Sequence, residues 1–408
     1  MFHATTRFVA VAILTLACVT TIAGPAEATG TNRVVPKNYA TIGDALNASE
    51  SGDTITVFPG TFSECVTISG LSAINVIGRR GAVINVAGCP VGVTINNGVD
   101  IAFEGFELTG ATLQGIAVQP GAKDVLIRQV TITTDQPYPA LSSLEVGVSI
   151  DGADDVLLKD VTISGATLHA VHVMSATRTV VKQSTISDGT GDGVRVDLGT
   201  NVKIADNVMR NLLGPAIFFF HDGGVGMTGG GVESIVVQNK IIDSPGGGIV
   251  IGGSNNLIEK NAVVDSGGTG ITALANGSDS LYRKNKVNGS AEAGILAAGT
   301  GDTFEKNTVL GSHQDGIVVV GSMNVLTKSR VVDATGSGFA VAPTASENAF
   351  EDCGSVRAGA DGFHVEGLAN TFTQAKAAGS GGLDLNDPAG GATTNVYTDC
   401  TFKSSNLP

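Results

Sequence analysis

The sequence repeats one short pattern along most of its length, with a period close to 23 residues. Each copy opens with a small residue followed by a short run rich in apolar residues, as in Gly248–Ile251. The copies begin at Gly92, Gly115, Gly147, Ala170, Gly193, Ala216, Gly248, Gly270, Gly294, Gly316, Gly338, Gly362 and Gly382. Successive copies are 20–24 residues apart, except for two steps of 32 residues. A fixed period of this length indicates a solenoid, in which each repeat stacks on the next.

Every copy contains three short runs of β-forming residues. In the copy that opens at Gly193, Val194 and Val196 alternate with polar residues, and Val202–Ile204 and Val208 supply the second and third runs. Alternation with a period of two predicts strands, so one rung has three of them. Since a single rung cannot bury its apolar face alone, the rungs must share one core.

An asparagine recurs in register between the second and third runs. The positions that fix this register are Asn207, Asn239, Asn261, Asn285 and Asn307. We expect the asparagine itself to take the left-handed backbone conformation at a corner of the rung, which asparagine tolerates better than most residues. We also expect the stacked amides to hydrogen-bond from rung to rung.

The repeat resembles that of right-handed parallel β-helix proteins of the pectate-lyase-like superfamily. A leucine-rich repeat is the main alternative with this period, but its consensus is rich in leucine, whereas these copies use Val, Ile, Thr and Gly. The resemblance covers nearly the whole mature chain. It implies an all-β fold: a single right-handed parallel β-helix solenoid with a short N-terminal cap helix.

Residues 1–28 are predicted to be a secretory signal peptide. Arg7 precedes an apolar run from Phe8 to Val19, and small residues at Ala26–Ala28 precede the expected cleavage site. A lipoprotein signal around Cys18 is the alternative. The β-helix domain is then residues 29–408, in an extracellular or periplasmic protein. No other stretch is long and apolar enough to span a membrane.

The start of the mature chain resembles the N-terminal region of many β-helix proteins. Thr41 can cap a short helix that ends at Ala48, with Ile42, Ala45 and Leu46 on one face. The segment 52–64 follows with the pattern Gly-Asp-Thr-Ile-x-Val-x-Pro-Gly-x-Phe-x-Glu. The helix is expected to cover the open end of the first rung.

The charge of the chain limits its partners. The formal net charge is −14, which argues against nucleic acid as a partner. A polyanionic substrate would need a local cation or a basic patch to be held at all. A polysaccharide is therefore a possible partner, and an anionic one would need such a cation or basic patch.

The spacing of the cysteines predicts one disulfide. Cys65 and Cys89 are one period apart, so they lie on neighbouring rungs at about 4.8 Å, within disulfide reach. Cys353 and Cys400 align two rungs apart with Ala375 between them, at about 9.6 Å. We expect this second pair to be free.

Two longer rungs predict a groove. The additional residues fall at 135–145 in the first and at 221–233 in the second. Insertions in solenoids form loops, often on the binding face. These two insertions should flank one surface of the first strand of each rung.

Polar side chains collect on that surface. With alternate residues packed inward, the outward pairs on successive rungs are Ser149 and Asp151, His172 and Met174, Arg195 and Asp197, and Phe218 and Phe220. The candidate catalytic residues are Asp151, His172, Arg195, Asp197, Tyr138 and His221. They could supply a general acid, a general base and a clamp for a carboxylate, as lyase or epimerase chemistry on uronic acids requires. The alternative is a solvated face with incidental ion pairs.

The sequence leaves metal dependence open. His169 and His172 are three positions apart on a strand, which predicts that they face opposite ways and share no metal. Residues 190–197 partly resemble a calcium-binding nonapeptide turn, but that motif needs repetition and this segment occurs once. Calcium remains the one cofactor under consideration.

The catalytic motifs of polygalacturonases, pectinesterases and alginate epimerases are missing, so no family's catalytic residues transfer to this chain. Two functions remain open. One is a secreted lyase or epimerase of uronic-acid polymers. The other is a non-catalytic surface or periplasmic solenoid, favoured by the absence of Trp and by a predicted partner surface on the apolar outer ladder, the outward residues from Val250 to Ala342.

Overall fold

The chain forms a β-solenoid of three parallel sheets in the computed structural model, which describes residues 30–133, 144–220, 231–388 and 395–407. Every paired strand in this part of the chain is parallel to its neighbours, and each pairs with the equivalent strand one rung away. The predicted all-β parallel solenoid with three strands per rung is therefore confirmed. We number the sheets by the order of their strands within a repeat.

Sheet 1 contains the first strand of each repeat, and its order follows the chain. Its strands are Val66–Ser69, Val91–Asn96, Gln114–Val118, Val146–Asp151, His169–Met174, Asp192–Asp197, Ile217–Phe220, Ile249–Ile251, Ile271–Ala273, Ile295–Ala297, Ile317–Val319, Phe339–Val341, Phe363–Val365 and Leu385–Asn386.

Sheet 2 contains the second strand of each repeat and two additional strands at the N-terminal end. Its strands are Asn32–Val35, Thr54–Val57, Ser72–Gly78, Val99–Glu104, Lys123–Arg128, Asp154–Lys159, Val180–Lys182, Lys203–Ala205, Ile235–Val237, Leu257–Glu259, Leu281–Arg283, Thr303–Glu305, Val325–Thr327, Ala349–Glu351, Thr371–Thr373 and Val396–Thr398.

Sheet 3 contains the third strand of the repeats and one additional strand, Gly60–Ser63, at the N-terminal end. Its strands are Gly60–Ser63, Ala82–Asn85, Glu107–Thr109, Thr131–Thr133, Thr162–Ser164, Thr185–Gly189, Val208–Leu212, Lys240–Ile242, Ala262–Val264, Lys286–Asn288, Thr308–Leu310, Arg330–Val332, Gly354–Val356 and Lys376–Ala378.

The predicted cap helix is present as Ile42–Asn47, with Thr41 as its N-cap and Ala48 as its C-cap. The hydroxyl of Thr41 accepts a hydrogen bond from the backbone N–H of Asp44. Ile42, Ala45 and Leu46 are buried, as the pattern predicted. The helix therefore covers the first rung with its apolar face.

The asparagine ladder, formed by Asn207, Asn239, Asn261, Asn285 and Asn307, runs inside the solenoid. In each step the side-chain amide nitrogen donates to the amide oxygen of the next asparagine, at 3.0 Å for Asn207 to Asn239 and 3.1 Å for Asn239 to Asn261. The bonding between stacked amides is thus confirmed. The predicted left-handed backbone at these asparagines is wrong.

The residue before each of these asparagines takes the left-handed conformation instead. Asp206, Gln238 and Lys260, for example, have φ of 56°, 57° and 55°. Each asparagine places its side chain inside the rung to bond its neighbours, so the left-handed turn falls one position earlier, at the exposed corner.

The cysteines behave as their spacing predicted. Cys65 and Cys89 form a disulfide with their Cα atoms 5.7 Å apart. Cys353 and Cys400 are free, the first buried and the second partly so. The register of Phe350, Phe372 and Tyr397 on three successive rungs confirms that one rung separates the two cysteines.

Candidate functional site

The polar outward residues of sheet 1 lie in two adjacent columns. Ser149, His172, Arg195 and Phe218 are in register on four successive rungs, and Asp151, Met174, Asp197 and Phe220 form the neighbouring column. The valines and isoleucines between them are buried in the core. The predicted alternation therefore places His172 directly beside Arg195.

The carboxylate of Asp197 joins His172 to Arg195. Its Oδ2 lies 2.7 Å from Nε2 of His172. Nε of Arg195 donates to Oδ1 and Oδ2 of the same carboxylate at 3.1 and 2.9 Å. Burial alone would raise the pKa of Asp197, but the hydrogen bonds from His172 and Arg195 together hold that pKa below its usual value. Asp197 is therefore a carboxylate that fixes the orientation of the imidazole.

Arg195 also packs against two aromatic rings. Its guanidinium carbon lies 5.2 Å from the ring centre of Phe218 and 4.6 Å from that of Phe220. Its Nη1 is 3.5 Å from Oδ2 of Asp192. With Nε bound to Asp197, a substrate carboxylate would have to approach the Nη edge of this guanidinium.

His169 belongs to the same cluster, contrary to the sequence prediction. Its ring centre is 4.8 Å from that of His172, and its Nδ1 is 3.3 Å from Oδ2 of Asp192. The prediction that the two histidines face opposite ways is wrong because Ala170 and Val171 are both buried. Two consecutive inward residues shift the alternation by one position and turn His169 outward.

The sheet 1 cluster therefore consists of His169, His172, Asp192, Arg195 and Asp197. Sequence reasoning missed His169 and Asp192. The signal was present, because most copies open with a small residue and a large apolar residue that both pack inward, which turns the residue before them outward.

Of the remaining predicted site residues, Asp151 is the one that the structure describes. Asp151 is half-buried at the end of its strand, two rungs from Asp197 with Met174 between them. Tyr138, His221 and most of the two insertions lie outside the described residues. The described part of the site is thus the face of sheet 1 and not the loops predicted to flank it.

A smaller polar group lies near the C-terminal end of sheet 1. Nδ1 of His364 is 2.9 Å from Oδ2 of Asp361, and Nδ2 of Asn386 donates to the same oxygen at 2.8 Å. Although burial would raise the pKa of Asp361, hydrogen bonds from Asn386, the Leu383 backbone and His364 lower it. These bonds tie two rungs together at the end of the solenoid.

Over the described ranges, no group of three or more His, Cys, Asp or Glu side chains is arranged to hold a metal ion. None of the described helices is long and apolar enough to cross a membrane.

The cluster can perform proton transfer. When Nε2 of His172 carries the proton that it donates to Asp197, Nδ1 is left as a free base. Arg195 stabilises the negative charge of Asp197, and the half-buried rings of Phe218 and Phe220, packed edge to face, provide apolar surface beside it. An imidazole, an oriented carboxylate and two aromatic rings thus occur together on one half-buried face.

Comparison with known proteins supports the architecture. The family described as "Right handed beta helix region" matches residues 91–229 and 223–376. No curated protein matches the chain in sequence.

Similar solved structures include proteins of several activities. The receptor-binding tailspike of bacteriophage Det7 is 12% identical with a TM-score of 0.61, over 78% of this chain and 73% of that one. A PL6 alginate lyase in complex with a trisaccharide is 12% identical with a TM-score of 0.58, over 80% and 86%. The A-module of the mannuronan C-5 epimerase AlgE6 of Azotobacter vinelandii is 12% identical with a TM-score of 0.51, over 92% and 100%. At these identities the likeness shows the fold alone.

Proposed function

We propose, from the premise that the chain belongs to the right-handed β-helix family, that it acts on uronic-acid polysaccharides as a lyase or epimerase on the outer face of sheet 1. Similar structures in this fold include an alginate lyase and a mannuronan epimerase. The observation that carries the proposal is the 2.7 Å contact between His172 and Asp197, with Arg195 bound to the same carboxylate.

The proposed chemistry begins at C5 of a uronate, beside its carboxylate. Nδ1 of His172 takes the C5 proton while the Nη edge of Arg195 binds the carboxylate and stabilises the charge that develops there. In a lyase the electron pair forms the C4–C5 double bond, the C4–O bond breaks, and the leaving oxygen takes a proton. In an epimerase a proton returns to the opposite face of C5. Tyr138, His221 and Asp151 are the proposed proton donors.

A screen on purified mature protein tests this proposal. Polygalacturonate, polymannuronate and polyguluronate are incubated with the protein in deuterated buffer, with and without calcium. Ultraviolet absorbance detects the unsaturated product of a lyase, and NMR detects deuterium at C5 from an epimerase. If neither signal appears with any of the three polymers, in either buffer, the enzymatic proposal is wrong.

His172→Ala is expected to lower turnover on any substrate found by at least about 100-fold, because it removes the base. The free energy of unfolding should change by no more than about 1 kcal/mol, as for other surface substitutions. His313→Ala is the matched control, since His313 is exposed and lies outside sheet 1. Turnover that survives in His172→Ala would exclude His172 as the base.

Export is part of the proposal. Residues 1–28 have the features of a signal peptide, and the disulfide between Cys65 and Cys89 supports an oxidising compartment. We expect intact-mass analysis of exported protein to give a chain that begins at Thr29. A mass that includes residues 1–28, or a lipid on Cys18, would contradict this.

The second candidate is a non-catalytic solenoid that binds a partner. It is favoured by the apolar outer ladder on sheet 1, in which Val250, Thr272, Leu296, Val318 and Ala340 are in register on five successive rungs. This face continues directly from the sheet 1 cluster through Phe218. Two results together would favour this function over the enzymatic one. The protein would show no turnover, and it would bind a partner that the Leu296→Asp variant no longer binds.

A further inference from the structure

Sheet 3 presents a cation on every second rung of its C-terminal half. The first outward positions are in register through Lys240, Ala262, Lys286, Thr308, Arg330, Gly354 and Lys376. Lys240, Lys286, Arg330 and Lys376, which we call the cation column, therefore alternate with small residues. The column lies on a different sheet from the sheet 1 cluster.

The charges of the cation column are largely free. All four side chains belong to exposed residues. Within the described part of the chain, Lys240, Lys286 and Arg330 make no ion pair, and Lys376 lies 3.5 Å from Asp352 with both side chains exposed. By contrast, Lys260 at a neighbouring corner is 3.5 Å from Glu259. The column is thus a positive stripe on a protein whose net charge is −14.

An apolar column runs beside the cations. The third residues of the same strands also face outward, and they are Ile242, Val264, Asn288, Leu310, Val332, Val356 and Ala378. Most of them are half-buried. A bound chain would therefore meet fixed charges along one side and apolar surface along the other.

A notch opens in the column at Gly354. The cavity there has a volume of about 470 Å³, and its lining includes Arg330, Lys376, Lys403 and Val356. A Cβ on Gly354 would come no closer than 3.9 Å to the carbonyl oxygen of Lys376. The backbone at Gly354 therefore leaves room for a side chain, and such a side chain would fill the notch.

We propose that the cation column binds a linear anionic polysaccharide laid along the solenoid axis. Cations two rungs apart are separated by about 9.6 Å. An extended pyranose chain advances by roughly one strand spacing per sugar, so alternate sugars would present their carboxylates to successive cations. The apolar column then contacts the C–H faces of the sugars. This surface retains the polymer and takes no part in turnover at His172.

The spacing favours a polysaccharide over nucleic acid. In a DNA duplex each strand places a phosphate at about every 3.4 Å of helix axis, so most phosphates would find no cation in this column. The column supplies the local basic patch without which a protein of this charge could not hold a polyanion.

Charge reversal in the column tests the proposal. Binding of polygalacturonate and polymannuronate oligomers is measured by calorimetry in the full mature chain carrying His172→Ala, which prevents turnover. Adding Lys286→Glu and Arg330→Glu is expected to weaken binding by at least about tenfold, and more at low salt. The matched control is Lys123→Glu with Lys203→Glu, two exposed lysines of sheet 2 that give the same change in net charge. The control should stay within about twofold.

Filling the notch provides a second variant without a charge change. Gly354→Val should weaken binding by about threefold or more while the column keeps its charges.

Equal losses of binding in the sheet 3 and sheet 2 charge variants would overturn the proposal, because only net charge would then matter. Displacement of the oligomer by single-stranded DNA at equal charge concentration would overturn it as well. The two proposals can fail separately. If the screen above detects no turnover but oligomers still bind through the cation column, the enzymatic proposal is rejected and this one stands.

Discussion

The Val194→Asp variant is expected to lose about 3–5 kcal/mol of its free energy of unfolding. Val194 is completely buried and pairs with Val171 on one neighbouring rung and Ile217 on the other. A carboxylate at this position would lie among apolar side chains with no cation or donor to compensate the loss of its hydration. Because each rung contacts mainly its neighbours, the damage should concentrate in the adjacent strands.

Hydrogen exchange of the amides in His169–Met174 and Ile217–Phe220, together with urea denaturation, measures this effect. Val208→Asp is the matched control, since Val208 is exposed on sheet 3 and should tolerate the same substitution within about 1 kcal/mol. Equal stability of the two variants would show that the rungs do not share a continuous core at Val194.

The Asp302→Asn variant is expected to gain about 3 kcal/mol of stability at pH 8. Asp302 is completely buried in a row of polar residues one corner before the asparagine ladder. Its Oδ1 accepts a hydrogen bond from the backbone N–H of Ser280 at 2.9 Å, but its Oδ2 has no hydrogen-bond partner among the residues that the structure describes. Burial raises the pKa of Asp302 to about 6, despite the opposing hydrogen bond from Ser280.

The neighbouring rung indicates what an asparagine would add. Nδ2 of Asn324 donates to the carbonyl of Gly299 at 3.0 Å, and the carbonyl in the corresponding position for Asp302 is that of Gly277. An amide at position 302 can donate to this carbonyl, whereas an ionised carboxylate cannot. The substitution therefore replaces an unsatisfied buried charge with a neutral donor.

The advantage of the Asp302→Asn variant should depend on pH in a defined direction. The folded state binds a proton at Asp302 between about pH 4 and pH 6 that the unfolded state releases, so the stability of the wild type falls as pH rises through this window. The difference between variant and wild type should thus be largest above pH 6 and should shrink as pH falls to 4. Urea denaturation across this range measures it.

Asp243→Asn is the control for the Asp302 experiment, because Asp243 is exposed at a corner with a left-handed backbone that asparagine tolerates. It should change stability by less than about 0.5 kcal/mol at every pH. A variant at Asp302 that is no more stable than the wild type at pH 8 would contradict the account of this buried carboxylate.

The fold follows from the sequence because the repeat carries its own register. Once Gly193 and its equivalents are aligned, the alternation predicts that Val194 and Val196 are buried and that Arg195 and Asp197 face outward, as observed. The same register predicts that Cys65 and Cys89 can form a disulfide and that Cys353 and Cys400 cannot. The exact residue that makes each corner turn is not predictable this way, because Asn207 and Asp206 both suit a left-handed conformation and only their packing decides between them.

The site was harder to predict, since register gives neighbours but not hydrogen-bond partners. It placed His172 beside Arg195, yet it could not show that Asp197 would occupy Nε of Arg195 or that Phe218 and Phe220 would pack against the guanidinium. These contacts depend on side-chain rotamers. Strict alternation also fails wherever two consecutive residues pack inward, which is why His169 was placed on the wrong face.

The cation column of sheet 3 shows a further limit of reading one repeat at a time. Its members recur every two rungs, at steps of 46, 44 and 46 residues, so a search at the single period of the repeat passes over them. The pattern is visible only when alternate rungs are compared on the same sheet.

The most direct test of the central claim is a crystal structure of the His172→Ala variant with a uronate hexasaccharide at saturating concentration. The account predicts sugar density across sheet 1, with one pyranose against Phe218 and Phe220, its carboxylate at the Nη edge of Arg195, and its C5 facing the position vacated by the imidazole. A sheet 1 face that stays empty, including the case in which the oligosaccharide binds only along the cation column of sheet 3, would contradict it.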